Sequence, residues 1–289
     1  MKDFQYHKAT TVQEAFHFLS QYGAEGKIIA GGQSLLILMR QGLVAPEHVI
    51  DIKGVKELDY IRFDEKEGLF IGATTTHRSI EKSLLLREKY EVLVQMERKL
   101  ATIQTRNWGT IGGNLCHADP AGDPAPVLIA LGADLKLGKE GGERKVSLEE
   151  FSVDYYETVL EEDEMLLEIQ VPVPPARTAT VYEKFTIIDS DMAIVSVAAS
   201  ITAGDDGGCK GARIVLGGAA PVPMRARKAE EMLVGEKLKD ELLEEVGRAA
   251  AEESEPISDI HASEEYKREL IRVLTKRMVR RAWERAIQG

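Results

Sequence analysis

The sequence predicts an α+β chain of two domains, and three observations carry that prediction. Its 289 residues are about twice the ~150 residues typical of one domain. A segment rich in proline, Val171-Pro172-Val173-Pro174-Pro175-Ala176-Arg177, excludes both a helix and a central strand, because proline fixes φ and removes a backbone donor. Before this break, short apolar runs alternate with stretches of helical spacing. After it, three strand candidates come first and three helices follow.

The elements follow in order. Val12–Tyr22 has Ala15, Phe16 and Leu19 on one helical face and Thr11 placed to cap it. The short strand Ile28-Ile29-Ala30 runs into Gly31-Gly32-Gln33-Ser34, with Ser34 as N-cap of a short helix from Leu35 to Met39. Val49–Ile52 is the next strand. Tyr60–Phe63 and Leu69–Gly72 form a hairpin around a charged turn, and helices are expected over Ser79–Leu86 and Tyr90–Leu100. A Gly-rich loop, Trp108–Asp123, leads into an apolar helix around Val127–Leu131. Strands are expected at Leu135–Leu137, Val146–Leu148 and Met165–Val171. Beyond the prolines, Thr180–Thr186, Ile194–Ile201 and Ala212–Gly217 predict a three-stranded antiparallel sheet. Helices follow at Arg225–Leu233, Leu238–Ala251 and Ser263–Ala286, the last with Ile271, Leu274, Met278 and Ala282 at helical spacing.

Composition narrows the function. With 48 acidic against 37 basic residues the net charge is −11, the wrong sign for a nucleic-acid partner. Two cysteines, Cys116 and Cys209, cannot supply a disulfide framework, a four-cysteine metal site or an iron–sulfur cluster. No apolar run reaches the length of a membrane span, and the N-terminus lacks a signal-like apolar core. The expectation is a reducing, cytoplasmic setting with no membrane span.

Two glycine loops carry the chemistry. Ala30-Gly31-Gly32-Gln33-Ser34-Leu35-Leu36 leaves a buried strand and enters a helix, and Gly109-Thr110-Ile111-Gly112-Gly113-Asn114-Leu115 repeats the theme. Paired glycines let backbone N–H groups converge without Cβ obstruction, and Ser34, Thr110 and Asn114 add donors. Such a pair suits a pyrophosphate. Each alone also fits a tight turn. Neither G-x-G-x-x-G nor a P-loop motif occurs, which disfavours a Rossmann dinucleotide site and a nucleoside triphosphatase.

These loops resemble the paired signatures of one flavoprotein family, the FAD-binding medium subunits of molybdenum hydroxylases of the carbon monoxide dehydrogenase and xanthine dehydrogenase type. The resemblance continues through Asp119-Pro120-Ala121-Gly122-Asp123-Pro124, Tyr182-Glu183-Lys184-Phe185, Gly217 to Ala226 and Ala262 to Lys267, across essentially the whole chain. It implies a two-subdomain FAD-binding fold of the vanillyl-alcohol-oxidase (PCMH) type over residues 1–175, divided near residue 56. A smaller α+β C-terminal domain of the carbon monoxide dehydrogenase flavoprotein type would follow over 178–287.

The resemblance also implies the site. Ile28, Ile29, Ala30, Gly31, Gly32, Gln33, Ser34 and Leu35, with Thr110, Ile111, Gly112, Gly113 and Asn114, become FAD-binding positions, and Asp123 joins them. A carboxylate there would be repelled by pyrophosphate but satisfied by ribose or ribityl hydroxyls. Asp119 reads as a turn residue before Pro120. Lys184 matches a position near the flavin, where a cation offsets negative charge; on pattern alone it is equally an exposed strand lysine. At Ile187-Ile188-Asp189-Ser190-Asp191-Met192-Ala193 the chain departs from the family, with Met192 in place of the aromatic residue that lies against the isoalloxazine. A thioether can pack on that face. Cys116 and His117 have no partners for a metal or nucleophile and read as packing.

The implied function is electron transfer within a heterotrimer, with FAD as cofactor. A large molybdopterin-containing subunit oxidises the substrate, a small [2Fe-2S] subunit passes electrons to this chain, and an external acceptor (NAD, a quinone, a ferredoxin or oxygen) removes them. The chain itself contributes no catalytic residue and no metal ligand. The alternative is a self-contained FAD-dependent oxidase acting on its own small substrate, for which no strong His or Tyr base stands out.

Overall fold

The first five elements build a small parallel sheet whose strand ends open toward the site. The computed structural model describes residues 2–188 and 190–288, so Met1, Asp189 and Gly289 lie outside the described residues. Strand β1 (Gln5–Lys8) is followed by helix α1 (Val12–Tyr22), strand β2 (Gly26–Ile29), helix α2 (Leu35–Gln41) and strand β3 (His48–Asp51). All pairings are parallel, in the order β1-β3-β2. Thr11 caps α1 as expected, its hydroxyl accepting from the Glu14 N–H, while the Glu14 carboxylate accepts from the Thr10 amide at 2.7 Å. β1 escaped the sequence reading because its alternate side chains are exposed and carry no apolar pattern.

The second subdomain is an antiparallel sheet covered by helices. Hairpin strands β4 (Ile61–Asp64) and β5 (Gly68–Gly72) lead to helices α3 (His77–Lys82), α4 (Leu84–Lys89), α5 (Glu91–Lys99), α6 (Ile103–Trp108), α7 (Ile111–His117) and α8 (Pro124–Leu131). Strands β6 (Asp134–Lys139), β7 (Gly142–Ser147), β8 (Ser152–Asp154), β9 (Glu157–Thr158) and β10 (Met165–Val171) complete it. The main sheet has the order β4-β5-β10-β6-β7. Two expectations are corrected here. The stretch Ser79–Leu86 is split at Ser83, whose hydroxyl accepts from the Leu86 amide and starts a second helix. The Gly-rich loop Trp108–Asp123 contains the helix α7, whose two glycines are paid for by a Thr110 cap and close packing on Ala73.

The C-terminal domain packs an antiparallel sheet on helices. Its strands are β11 (Thr178–Phe185), β12 (Val195–Ala203), β13 (Cys209–Gly217) and β14 (Met224–Arg225), and its helices α9 (Arg227–Glu231), α10 (Asp240–Glu253) and α11 (Glu264–Gln288). The sheet has four strands rather than the expected three, since Met224 and Arg225 pair with Leu216 and Val215. That pairing is two residues long and leaves no alternation to read. Ile271, Leu274, Met278 and Ala282 are buried on one face of α11, with Trp283 fully buried beside them. Tyr182, Ala198 and Val215 join the core of the preceding domain, so the two domains share apolar packing.

The segment before α11 is held by charge. Lys267, 4% exposed, donates to Asp259 at 2.6 Å, and the amides of His261 and Ala262 donate to the same carboxylate. Burial works against the Asp259 carboxylate, but these donors outweigh it and bring its pKa down to about 2. A depressed acid stabilises the fold above its ordinary value near 3.8 and loses that contribution as pH falls toward 2. Acid titration of the thermal midpoint between pH 5 and 2 should therefore show a steeper fall in wild type than in Asp259→Asn. Parallel curves would exclude Asp259 as a contributor.

Candidate functional site

A cleft of about 760 Å³ opens at the carboxyl end of β2 and runs between α7, the segment from Tyr156 to Leu166, and the stretch from Ser190 to Met192. Its volume lies within the roughly 300–1,000 Å³ typical of cofactor clefts. Of the sequence-predicted residues, Ile28 to Leu35, Thr110, Gly112, Gly113, Asn114, Asp123, Lys184 and Met192 all line it. Ile111 does not. Its side chain is fully buried in the main core and its N–H donates to the Thr75 carbonyl at 3.0 Å. An apolar residue on the inward face of the first turn of α7 packs rather than binds.

The two glycine loops meet each other. A Cβ on Gly31 would lie 2.6 Å from the Gly109 Cα and closer still to the Trp108 carbonyl oxygen, so only glycine permits the approach. Gly32 adopts φ +69°, the left-handed region, and turns the chain into α2. None of the N–H groups from Gly31 to Leu35 has an acceptor among the described residues. The Ser34 hydroxyl caps nothing. The first loop thus presents a run of uncommitted donors at a helix N-terminus, an anion cradle.

The second loop is built differently from the expectation that its amides converge on a ligand. The Gly112 N–H donates to the Ala73 carbonyl at 3.0 Å and the Asn114 N–H to the Thr110 carbonyl, while the Gly113 N–H makes a 3.2 Å contact with Thr110 Oγ1. A Cβ on Gly112 would lie 2.8 Å from that of Ala73. Its glycines serve close packing, with the exposed Gly113 and the Asn114 side chain left for the cleft.

Asp123 and Lys184 come from different domains and pair across the cleft. The Lys184 ammonium donates to Asp123 Oδ2 at 2.8 Å and to the Asp191 carbonyl at 2.7 Å, and the Tyr182 hydroxyl donates to Asp123 Oδ1 at 2.6 Å. Lys184 is buried, not an exposed strand lysine. Burial pushes the Asp123 carboxyl above its ordinary value against the pull of Lys184, and pushes the Tyr182 phenol well up. Through Asp191, Lys184 also fixes the loop that carries Ile187, Ile188 and Met192, all strongly exposed. Met192 therefore stands on the rim, free to cover a planar group.

Backbone strain gathers here. Of the non-glycine residues with positive φ, Ala101, Tyr156 and Ser190 line the cleft and Ala118 closes α7 beside it. Such conformations cost about 1–3 kcal/mol each and concentrate at functional sites. Asp119 acts as the expected turn residue, accepting from the Ala121 amide at 2.9 Å. Cys116 packs against the core with its thiol pushed up to about 12 by burial, and His117 lies against Tyr156, so neither reads as a nucleophile. Sequence reasoning missed His77, Tyr156 and the segment from Leu160 to Glu164 as cleft residues. A lone histidine at the start of α3 and a strained tyrosine in a short hairpin give no periodic signal.

Comparisons with known proteins bear on the family and the fold. Residues 2–174 match the family model described as the FAD binding domain in molybdopterin dehydrogenase, and residues 180–282 match the CO dehydrogenase flavoprotein C-terminal domain. The carbon monoxide dehydrogenase medium chain of Hydrogenophaga pseudoflava is 33% identical over 98% of both chains. The 6-hydroxypseudooxynicotine dehydrogenase complex subunit alpha of Paenarthrobacter nicotinovorans is 32% identical over 98% of this chain and 95% of its own. Among solved structures, a carbon monoxide dehydrogenase from Hydrogenophaga pseudoflava superposes with a TM-score of 0.95 at 34% identity over 98% of both chains. Quinoline 2-oxidoreductase from Pseudomonas putida 86 superposes at 0.93 with 31% identity, over 99% of this chain and all of that one.

Proposed function

The chain belongs to the family of FAD-binding medium subunits of molybdenum hydroxylases, and from that premise we propose that it is the electron-transfer subunit of a heterotrimer. It receives electrons from iron–sulfur clusters of a small partner subunit, the substrate having been oxidised on a large molybdopterin-containing one, and delivers them through its FAD to an external acceptor. The observation that carries this reading is the junction of the two glycine loops, where uncommitted amides face a cleft of cofactor size. The names of the relatives, medium chain and complex subunit among them, support the partners.

The residues fit FAD. The amides from Gly31 to Leu35 would hold the pyrophosphate, since the cradle at Gly31 leaves no room for any side chain. Ser34, Asn114 and the remaining lone pairs of Asp123 suit ribose and ribityl hydroxyls. Lys184, paired with Asp123, would place a cation near the bound flavin, and the exposed Met192 would be available to cover one of its faces. When bound, FAD supplies the exchange between single electrons and electron pairs that couples clusters to a two-electron acceptor.

The cofactor should be FAD and non-covalent, so acid precipitation should release it to the supernatant for identification by chromatography. Dithionite should bleach it in the isolated chain. Flavin that stays with the pellet, or that runs as FMN, contradicts the assignment. No helix among the described residues is long and apolar enough to cross a membrane. A cytoplasmic setting remains part of the same proposal, supported by unpaired Cys116 and Cys209.

A further inference from the structure

We infer that His77, oriented by Glu97, is a positioning residue that donates an Nε2 hydrogen bond from the cleft wall to the pyrophosphate of the bound FAD. The inference rests on the reading of the cleft as the FAD site. Four observations carry it.

First, His77 belongs to the segment on which the second glycine loop is built. Its N–H donates to the Gly109 carbonyl at 3.1 Å, Thr75 and Ala73 accept from Ile111 and Gly112, and Thr76 bridges to Thr110. A Cβ on Gly109 would lie 3.1 Å from His77 Cδ2, so the edge of the ring that bears Nε2 lies against the loop. Second, His77 is among the residues that line the cleft, and Nε2 has no partner among the described residues.

Third, the ring is held by a carboxylate that has no other use. His77 Nδ1 and Glu97 Oε1 are 3.0 Å apart, with both side chains buried. Glu97 Oε2 has no partner among the described residues. A buried orphan oxygen is costly, and an apolar residue on α5 would avoid the cost. The arrangement makes sense as an orienting device for the imidazole, as in paired carboxylate–histidine sites. The nearby Arg106 charge is committed to Glu81 and to the Leu100 and Ala101 carbonyls.

Fourth, the proton count sets the polarity of Nε2. Burial pushes the Glu97 carboxyl up, and Asp123 adds to the push. Burial favours the dyad as a neutral whole. It is neutral when Glu97 is protonated beside a neutral ring, or ionised beside an imidazolium. With the carboxyl proton on Oε1, Glu97 donates to Nδ1 and the neutral ring keeps its own proton on Nε2; in the ionised arrangement both ring nitrogens carry one, so along either route Nε2 is a donor. The second loop has spent the amides of Ile111 and Gly112 internally, so His77 supplies the donor that they do not.

The test uses the full-length apoprotein and compares FAD with riboflavin, which lacks the pyrophosphate. Titration by flavin fluorescence should show FAD binding weakened about tenfold or more in His77→Leu, the loss expected for a hydrogen bond to a charged group. Riboflavin binding should be unchanged. His77→Gln, which places an amide N–H near Nε2, should recover most of the FAD affinity. Thermal midpoints confirm folding, and if His77→Leu does not fold, Glu97→Gln takes its place with a smaller loss confined to FAD. Unchanged FAD affinity in the variants overturns the inference, as does equal loss for FAD and riboflavin, which would make His77 only a wall of the cleft. Wild-type chain that binds no FAD would instead overturn the reading of the cleft.

Discussion

Gly31→Val should leave the chain folded but strip most of its flavin. The new side chain would run into the Trp108 carbonyl and the Gly109 Cα, both backbone atoms that cannot swing aside. Relief requires the two glycine loops to part, and overpacking of this kind costs about 1–3 kcal/mol. That is tolerable for the fold but turns the amides from Gly31 to Leu35 away from a common point. Gly142→Ala is the matched control, because nothing lies within 4 Å of its Cβ position. The ratio of flavin to protein after purification should fall several-fold in the first variant and stay at the wild-type value in the second. Equal retention would remove the first loop from the site. Gly113→Val should act more weakly, since its Cβ would meet only the Thr110 hydroxyl.

Lys184→Met should be the most destabilising single change at the cleft. Removing one member of a buried ion pair leaves the other charge uncompensated, at about 3–5 kcal/mol. Here the cost falls on Asp123, whose remaining donor is Tyr182, and the Asp191 carbonyl loses its tether at the same time. Burial already raises the Asp123 carboxyl, and loss of the ammonium raises it further. An acid raised above its unfolded value penalises the fold at pH values above that unfolded value, so the deficit of the variant should shrink as pH falls from 8 to 5. Denaturant unfolding at both pH values measures it. The double variant Asp123→Leu/Lys184→Met should recover part of the loss. A deficit that is small, or that grows toward acid, would mean that the pair is not buried as a pair.

Much of this architecture was legible in the residues. The helical period of Val12–Tyr22 and of α11 reports the face that meets the core, the short apolar run of β5 reports a strand buried throughout, and the proline break marks where regular structure stops. The glycine pairs announced the cleft, since close backbone approach demands glycine whatever surrounds it. Their division of labour was not legible. Only the fold shows that Gly31 meets Trp108 and that Gly112 meets Ala73, or that Ile111 faces the core. The same pattern therefore suggested an extended loop where a capped helix forms. Pairing across domains was hidden for the same reason: Asp123 and Lys184 stand 61 positions apart, and spacing along the chain carries no trace of their contact. The His77–Glu97 pair is closer in sequence, yet its members lie on different helices that only tertiary packing brings together.

Electron relay without substrate chemistry of its own is tested most directly by anaerobic mixing. The flavin-loaded chain is mixed with xanthine, an aldehyde, carbon monoxide or nicotinate, first alone and then as a complex with the proposed large and small partner subunits, while flavin absorbance is followed. The isolated chain should keep its oxidised spectrum with every substrate and bleach only with dithionite. The complex should bleach with its own substrate, because docking brings a cluster within electron-transfer reach. Rapid bleaching of the isolated chain by any of these small molecules would instead make it an oxidase in its own right.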